Sequence, residues 1–511
     1  MRNTSYKRLS PNVLSFIIPL YLLVLHFFPI PITGDSPPLY NPTDIYTVDC
    51  GASGNLKAWD NRIWIGDTNS RFSLIEKNKA SIISKAAKTS PSVDPVPFAT
   101  ARLSRFQFAY IFPVTTGQKF IRLHFYPSSV AGFDRSKAFF SVKIGGYTLL
   151  NNFSAALAAD AHGDETVSKE FCVNVKQGDQ MLNITFTPTA SDPDAYAFIN
   201  GIEIVSMPDY LYYTSPQNGG IQFIGQKNVF WIEIEYALEM VYRLNVGGRF
   251  VSPMEDTGMF RTWDEDDDYC VKLAFVPANS SIDLKFTQQP EYTAPPDVYR
   301  TARTMGNNKT ENMGYNLTWV LSVDSGFNYL LRLHFCEFQP EITEQQDREF
   351  TIFIANQTAE NHADVITWSG GNGVPIYRDY AVMMPSQGSN KKQNLYIQLH
   401  PNPDWRTRYN DAILNGIELF KVSKFDNSLA GPNPDPPPNS VPPPPAQSTS
   451  PKDYDTQLVA IVSGMVACIV ALSTLCLFIR RRGGRRRDAD PGASWWGPFS
   501  YTSAQSTRAS Y

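Results

Sequence analysis

Histidine and cysteine are scarce, with six of each in 511 residues. His26 falls in an apolar run near the N-terminus, and Cys468 and Cys476 fall in another near the C-terminus. Few metal-binding or nucleophilic side chains remain, and no His/Cys pair has the spacing of a zinc site. There is no Gly-x-Ser-x-Gly elbow, no Gly-rich phosphate loop, no His-Arg-Asp and no Asp-Phe-Gly. No catalytic residue, metal ligand or cofactor is therefore assigned. Charged residues make up only 18% and the net charge is −4, which excludes a bulk nucleic-acid binder. The apolar fraction of 42% excludes a mostly disordered chain. What is abundant is proline (38), tyrosine (25) and phenylalanine (32), the mix of a β-rich extracellular protein.

The two apolar runs fix the topology. Arg2, Lys7 and Arg8 precede the run Val13–Phe28, and Thr33 and Gly34 follow it, which reads as a secretory signal peptide over 1–34. Residues 458–479 are 22 positions without a charge, long enough for a transmembrane helix. Arg480, Arg481, Arg482, Arg485, Arg486 and Arg487 follow it and place the C-terminus in the cytosol. The expectation is a type I single-pass plasma-membrane protein with its domains outside and a cytosolic tail over 480–511. Small residues such as Ala460 and Gly464 give the span a face on which two copies could pack as a dimer. The outer part carries about −12 charges and would attract a cationic partner.

Four cysteines lie in the oxidising compartment: Cys50, Cys172, Cys270 and Cys336. They are disulfide candidates, enough for one or two bridges of unknown pairing, with free buried thiols as the alternative. Sequons at Asn152, Asn183, Asn279, Asn308, Asn316 and Asn356 are glycosylation candidates.

The middle of the chain is a repeat. Phe120-Ile-Arg-Leu-His-Phe125 recurs as Leu330-Leu-Arg-Leu-His-Phe335, and Asn200-Gly-Ile-Glu203 recurs as Asn415-Gly-Ile-Glu418, at offsets of 210 and 215. Val48-Asp-Cys-Gly51 and Trp64-Ile-Gly-Asp67 match Asn245-Val-Gly-Gly248 and Trp263-Asp-Glu-Asp266. A period near 200 residues is far above solenoid repeats and means two homologous domains. Ile121, Leu123 and Phe125 alternate with Arg122 and His124, the pattern of a half-buried strand. Further strands are predicted at Ala138–Ile144, Met181–Phe186, Lys272–Phe275, Arg348–Ile354 and Leu395–Leu399, a turn at Gly145-Gly146 and a short helix over Ile82–Lys88. The fold class is all-β, with two tandem sandwich or jelly-roll-like domains at 39–207 and 231–425 and a connector at 208–230. Residues 430–451 hold ten prolines and read as a polyproline stalk.

This order, with Tyr46-Thr-Val-Asp-Cys-Gly-Ala52, the RLHF and NGIE landmarks, the stalk, the span and the tail motif Trp495-Trp-Gly-Pro-Phe499, resembles the plant malectin-like receptor kinases of the Feronia/Theseus type. The resemblance implies two malectin-like sandwiches that sense the plant cell wall. It also implies a secreted cysteine-rich peptide ligand and a lipid-anchored co-receptor. Members of that family continue into a Ser/Thr kinase, and this sequence stops at Tyr511 before one. The family-like tail favours a continuation missing from the sequence over a kinase-less decoy or co-receptor. As written, the chain is not an enzyme.

Other chemistry is weaker. Asp264-Glu-Asp-Asp-Asp268 could bind calcium or supply a glycosidase pair, but it lacks the spacing of an EF-hand and reads as a solvated acidic loop. His124 and His334, equivalent in the two repeats, read as structural. A carbohydrate-binding, lectin-like function on wall glycan would draw on Trp59, Trp64, Tyr110, Tyr126, Trp263, Tyr377, Trp405 and Tyr409. Uronic acids would draw on Arg243, Arg249, Arg261, Arg300 and Arg303. No ligand-binding residue is assigned.

Overall fold

A computed structural model describes residues 39–436, apart from 69–72, 77–79, 86–89, 131, 218, 273, 387, 389–390 and 404–406. The predicted signal peptide, span and tail, and the stalk beyond 436, lie outside the described residues. No described helix is long and apolar enough to cross a membrane.

Eight strands carry the architecture. In the first domain they are β1 (Ile45–Ser53), β2 (Gly117–Phe125), β3 (Val167–Val175) and β4 (Gly201–Ser206). In the second they are β5 (Leu238–Asn245), β6 (Phe327–Phe335), β7 (Ile376–Met384) and β8 (Gly416–Val422). Their order in space is β7-β6-β8-β5-β3-β2-β4-β1, all in one sheet. Each domain uses the same internal order, and the two are joined edge to edge where β5 pairs with β3 (Cys172 with Leu238, Glu170 with Met240). The repeat is thus a continuous sheet rather than two beads on a string.

A second sheet closes each sandwich. In the first domain it contains Tyr147–Phe153, Phe140–Ile144, Met181–Pro188, Phe108–Pro113 and Ser73–Glu76. In the second it contains Leu317–Asp324, Lys392–Pro401, Phe350–Ile354 and Gln357–Ala363. The predicted turn at Gly145-Gly146 closes a two-residue hairpin, Ile144 pairing with Tyr147, and Gly145 takes the positive φ of 53° that such a turn requires. Between the sheets, Ile121, Leu123 and Phe125 enter the core of the first domain, and Leu331, Leu333 and Phe335 that of the second.

Three sequence expectations are corrected. Of the helix expected over Ile82–Lys88, the described part, Ile82–Lys85, is a strand paired to Thr100–Ser104; a seven-residue segment is too short to show a helical period. Among the described residues of Lys272–Phe275 there is no ladder strand, and Phe275 bridges Thr304 in isolation. The RLHF strands are buried on both faces: Arg122 is 6% exposed and Arg332 1%. The outer face is covered by the connector (Leu211, Tyr212, Tyr213), by Ile232 just after it and by Met259, which pack on Phe120, Leu238, Leu330 and Phe420. The connector also adds two short strands, Ile221–Phe223 and Val229–Phe230, to the sheet edge beside β7.

Candidate functional site

The two motifs of each repeat are neighbours in the sheet. On β2 and β4, Arg122 lies opposite Glu203 and His124 opposite Gly201; on β6 and β8, Arg332 lies opposite Glu418 and His334 opposite Gly416. The motif glycine is required by packing: a Cβ on Gly201 would meet Pro97 at 2.5 Å, and one on Gly416 would meet Val298 at 2.8 Å. The motif asparagine holds a neighbouring segment. Asn200 accepts from Tyr126 N (2.7 Å) and donates to Thr100 O (2.8 Å); Asn415 accepts from Cys336 N (2.8 Å) and donates to Thr301 O (2.8 Å).

The motif glutamate anchors a ladder of buried ion pairs that crosses the domain boundary. Glu203 accepts from Arg62 (2.6 Å) and His124 Nε2 (2.8 Å). Arg122 links Glu203 (3.4 Å) to Glu170 on β3 (2.6 Å). Arg243 on β5 then joins Glu170 to Glu418 on β8, both at 2.8 Å. Glu418 also accepts from His334 Nε2 (3.1 Å) and the Tyr212 hydroxyl (2.6 Å), and Arg261 donates to Tyr212 at 3.0 Å. Burial pushes the Glu203 carboxyl up, but the Arg62 guanidinium and the His124 hydrogen bond outweigh it and hold the group well below the carboxylate range. Glu418 follows the same balance, with His334 and Arg243 opposing its burial. Glu239, buried between Lys169 and Lys421, is drawn down to about 2 by those cations against its burial. Desolvation pushes His334 down and keeps it neutral.

These pairs are buried, and most of them lie at 2.6–2.8 Å. Their work is to hold the two domains in one orientation. Removing one partner of such a pair strands a buried charge, which is why the motifs recur together.

A second matched site lies at the Trp-x-x-Asp landmark. Asp67 accepts from Arg102 (2.6 Å), Tyr110 (2.5 Å) and Gly51 N (2.8 Å). Asp266 accepts from Arg303 (2.6 Å), Trp319 Nε1 (2.7 Å) and Gly247 N (2.9 Å). Trp64 and Trp263 meet His124 and His334 edge-on at 5.5 and 5.4 Å. The acidic run is therefore corrected at its centre: Asp266 is 0% exposed and structural, and Asp267 pairs with the same Arg303.

The basic-cleft expectation also fails at most of its members. Arg243, Arg261 and Arg303 are buried in these ion pairs, because each neutralises a buried carboxylate. Arg249 is exposed and paired with Glu255 and Asp297. Arg300 is half-buried. Of the aromatics, Trp64, Tyr110 and Trp263 are core residues, Tyr126, Tyr377 and Tyr409 are half-buried, and Trp59 is 60% exposed. Trp405 lies outside the described residues.

The cysteines are corrected too. Cys50, Cys172, Cys270 and Cys336 are all free. Cys50 sits in the core of the first domain, Cys172 under the connector, Cys336 in a small cluster with Trp263 and Tyr299, and Cys270 against the second core. Four separate packing neighbourhoods leave no pair to join. Among the sequons, Asn152, Asn183, Asn308 and Asn356 are exposed, and Asn279 and Asn316 are half-buried.

A surface hollow that sequence reasoning missed has a volume of about 500 Å³ and lies on the first domain, with Arg105, Phe133, Lys137 and Asp194 in its lining. Arg105 pairs with Asp194 at 2.7 Å and stands over the Phe133 ring at 5.2 Å. Loop residues Arg105 and Asp194, Phe133 of an isolated bridge and Lys137 of a short 3-10 helix line it, and no spacing in the chain links them.

The sheet order and the repeated Arg-His-Glu geometry can be compared with known proteins. The profile of the Malectin-like domain matches residues 48–422, spanning both repeats. The chain belongs to the malectin-like family. Receptor-like protein kinase FERONIA of Arabidopsis thaliana is 44% identical over 473 residues, 90% of this chain and 52% of that protein. ANXUR2 of the same plant is 34% identical over 485 residues, 92% of this chain and 54% of that protein. The chain spans about half the length of these curated relatives. The crystal structure of the plant receptor-like kinase FER superposes with a TM-score of 0.71 at 46% identity, covering 77% of this chain and all of that one. Another solved structure, of the plant peptide RALF23 in complex with FER and LLG2, matches with a TM-score of 0.71 at 45% identity over 78% of this chain and all of that one. The resemblance drawn from the RLHF and NGIE landmarks is borne out, and the malectin-like match is to an ectodomain, not a catalytic domain.

Proposed function

We propose that this chain is the sensing part of a plasma-membrane receptor, which binds a secreted cationic peptide together with a lipid-anchored co-receptor and couples that binding across the span at 458–479. One observation carries the reading: FER, 45% identical over 78% of this chain, is found in complex with the peptide RALF23 and with LLG2. The acidic outer charge of about −12 suits a cationic ligand. In this reading the six sequon asparagines carry glycans, residues 430–451 space the domains from the membrane, and phosphotransfer belongs to the kinase named in the relatives. The test is equilibrium binding of a secreted cysteine-rich cationic peptide to the full chain in nanodiscs, with and without the co-receptor. Binding that strengthens with the co-receptor and weakens as salt rises supports the proposal. No binding of the peptide at low salt, with the co-receptor present, contradicts it.

A second reading, binding of wall glycan, rests on the hollow beside Phe133, where an aromatic ring lies among hydrogen-bonding side chains. It predicts that an oligosaccharide raises the melting temperature and that Phe133→Ala abolishes the rise.

A further inference from the structure

The chain does not leave the molecule where its last strand ends. After β8, residues 424–427 form an exposed turn, closed by Asn427 N donating to Lys424 O at 2.8 Å. Phe425 at its tip is 99% exposed. The chain then runs back to the first domain. Leu429 N donates to Thr148 O at 2.9 Å and Thr148 N to Asn427 O at 3.1 Å, so Ser428 pairs in parallel with the edge strand Tyr147–Phe153. Leu429 is fully buried in the core of the first domain. Asn433 completes the attachment: its Nδ2 donates to Asn152 O at 2.6 Å and its Oδ1 accepts from Ser154 N at 2.9 Å.

The same strap touches the second domain. Gly431 lies so close to Asp324 that a Cβ would come within 2.0 Å of its Oδ2. Lys391 and Asp435 form an ion pair at 2.6 Å, with Asp435 84% exposed. Residues 426–435 therefore fasten to both domains. Residues 430–436, read from the sequence as the start of the stalk, lie against the folded domains.

We propose that residues 426–435 are a releasable clamp between the two domains. Load applied to the chain beyond Pro436 then reaches the edge strand Tyr147–Phe153 of the first domain before it reaches β8 of the second. The relative strengths support this order. β8 is laddered to a strand on each side, β5 and β6, over most of its length. The strap holds the first domain by one buried leucine and four hydrogen bonds. The exposed turn at 424–427 supplies the slack, so that the strap can lift while β8 stays paired. Lifting it uncovers Thr148 N–H and C=O and empties the Leu429 site, leaving an open sheet edge.

The test is amide hydrogen exchange on the full chain in nanodiscs. Asn433→Ala removes two of the four bonds without disturbing a core. Exchange in 147–153 and 426–431 should rise about tenfold, while β6 and β8 keep their native rates. Leu429→Ala should give a larger rise in the same two segments. A Thr148→Cys/Ser428→Cys disulfide added to Asn433→Ala should restore the native rates. The proposal is overturned if Asn433→Ala leaves 147–153 unchanged, or if that segment accelerates only together with β8.

Discussion

In the first domain the Thr100 hydroxyl donates to Asp49 at 2.7 Å; in the second, Thr301 donates to Asn245 at 3.0 Å. The surroundings match, with Gly51 and Gly247 on one side and the Asp67–Arg102 and Asp266–Arg303 pairs on the other. One fold thus holds a carboxyl in one copy and a neutral amide in the other. Burial pushes Asp49 up to about 7, with repulsion from Asp67 adding to it against the Thr100 hydrogen bond. The histidines differ in the opposite sense. The side chain of His124 is 12% exposed, whereas His334 is completely sealed among Trp263, Tyr299 and Tyr377. The comparison shows that the repeat conserves hydrogen-bond geometry while each copy sets its own charge. The second copy holds Asn245 where the first holds Asp49, and its motif glutamate, Glu418, is fully buried.

The largest effect should come from opening the sealed glutamate. Glu418→Ala leaves Arg243 with Glu170 alone and takes the acceptor from buried His334 and Tyr212, and should cost about 3–5 kcal/mol in denaturant unfolding. Glu203→Ala, the same motif position, should cost less, because Arg62 and His124 each keep 12% exposure and can recruit water. Equal losses would break the comparison.

Asp49→Asn copies the second domain into the first. A carboxyl raised in the fold stabilises it fully below its unfolded value near 3.9, and that contribution is lost as pH rises through about 7. The native protein should lose on the order of 2–4 kcal/mol from this group between pH 4 and 7. Asp49→Asn should flatten the stability profile in that window.

His334→Gln tests the other half. The folded pKa of His334 is lowered by burial, so its contribution is present above about 6.5 and is lost as pH falls toward the lower folded value. The variant should lose about 1–2 kcal/mol at pH 7.5, with a deficit that narrows below pH 6.5. The smallest effect is expected at the surface: Arg249→Ala removes a pair whose arginine is 56% exposed and should cost under about 1 kcal/mol.

Much of this architecture was legible in the sequence. The RLHF and NGIE landmarks placed β2, β4, β6 and β8 and the repeat, because period-two alternation and internal matching are local signals. The alternation could not say what covers the polar face of β2 and β6. A charged residue that points to water and one that points to a buried partner look alike in the chain, so Arg243, Arg261 and Arg303 read as a basic cleft and Asp266 as a solvated loop. The recurrence of Arg and His two residues apart, each with a later Glu, was the available signal for the ladder. The strap and the Phe133 hollow depend on contacts between distant segments and left no trace in periodicity.

Two repeats joined through β3 and β5, a shared apolar layer and a ladder of ion pairs make one cooperative unit. Scanning calorimetry of the full chain at neutral pH, run beside a tryptophan-fluorescence melt, tests it most directly. One transition with coincident midpoints, shifted as a whole by Glu418→Ala, is the predicted result. Two separate transitions, only one of which moves with Glu418→Ala, would contradict it.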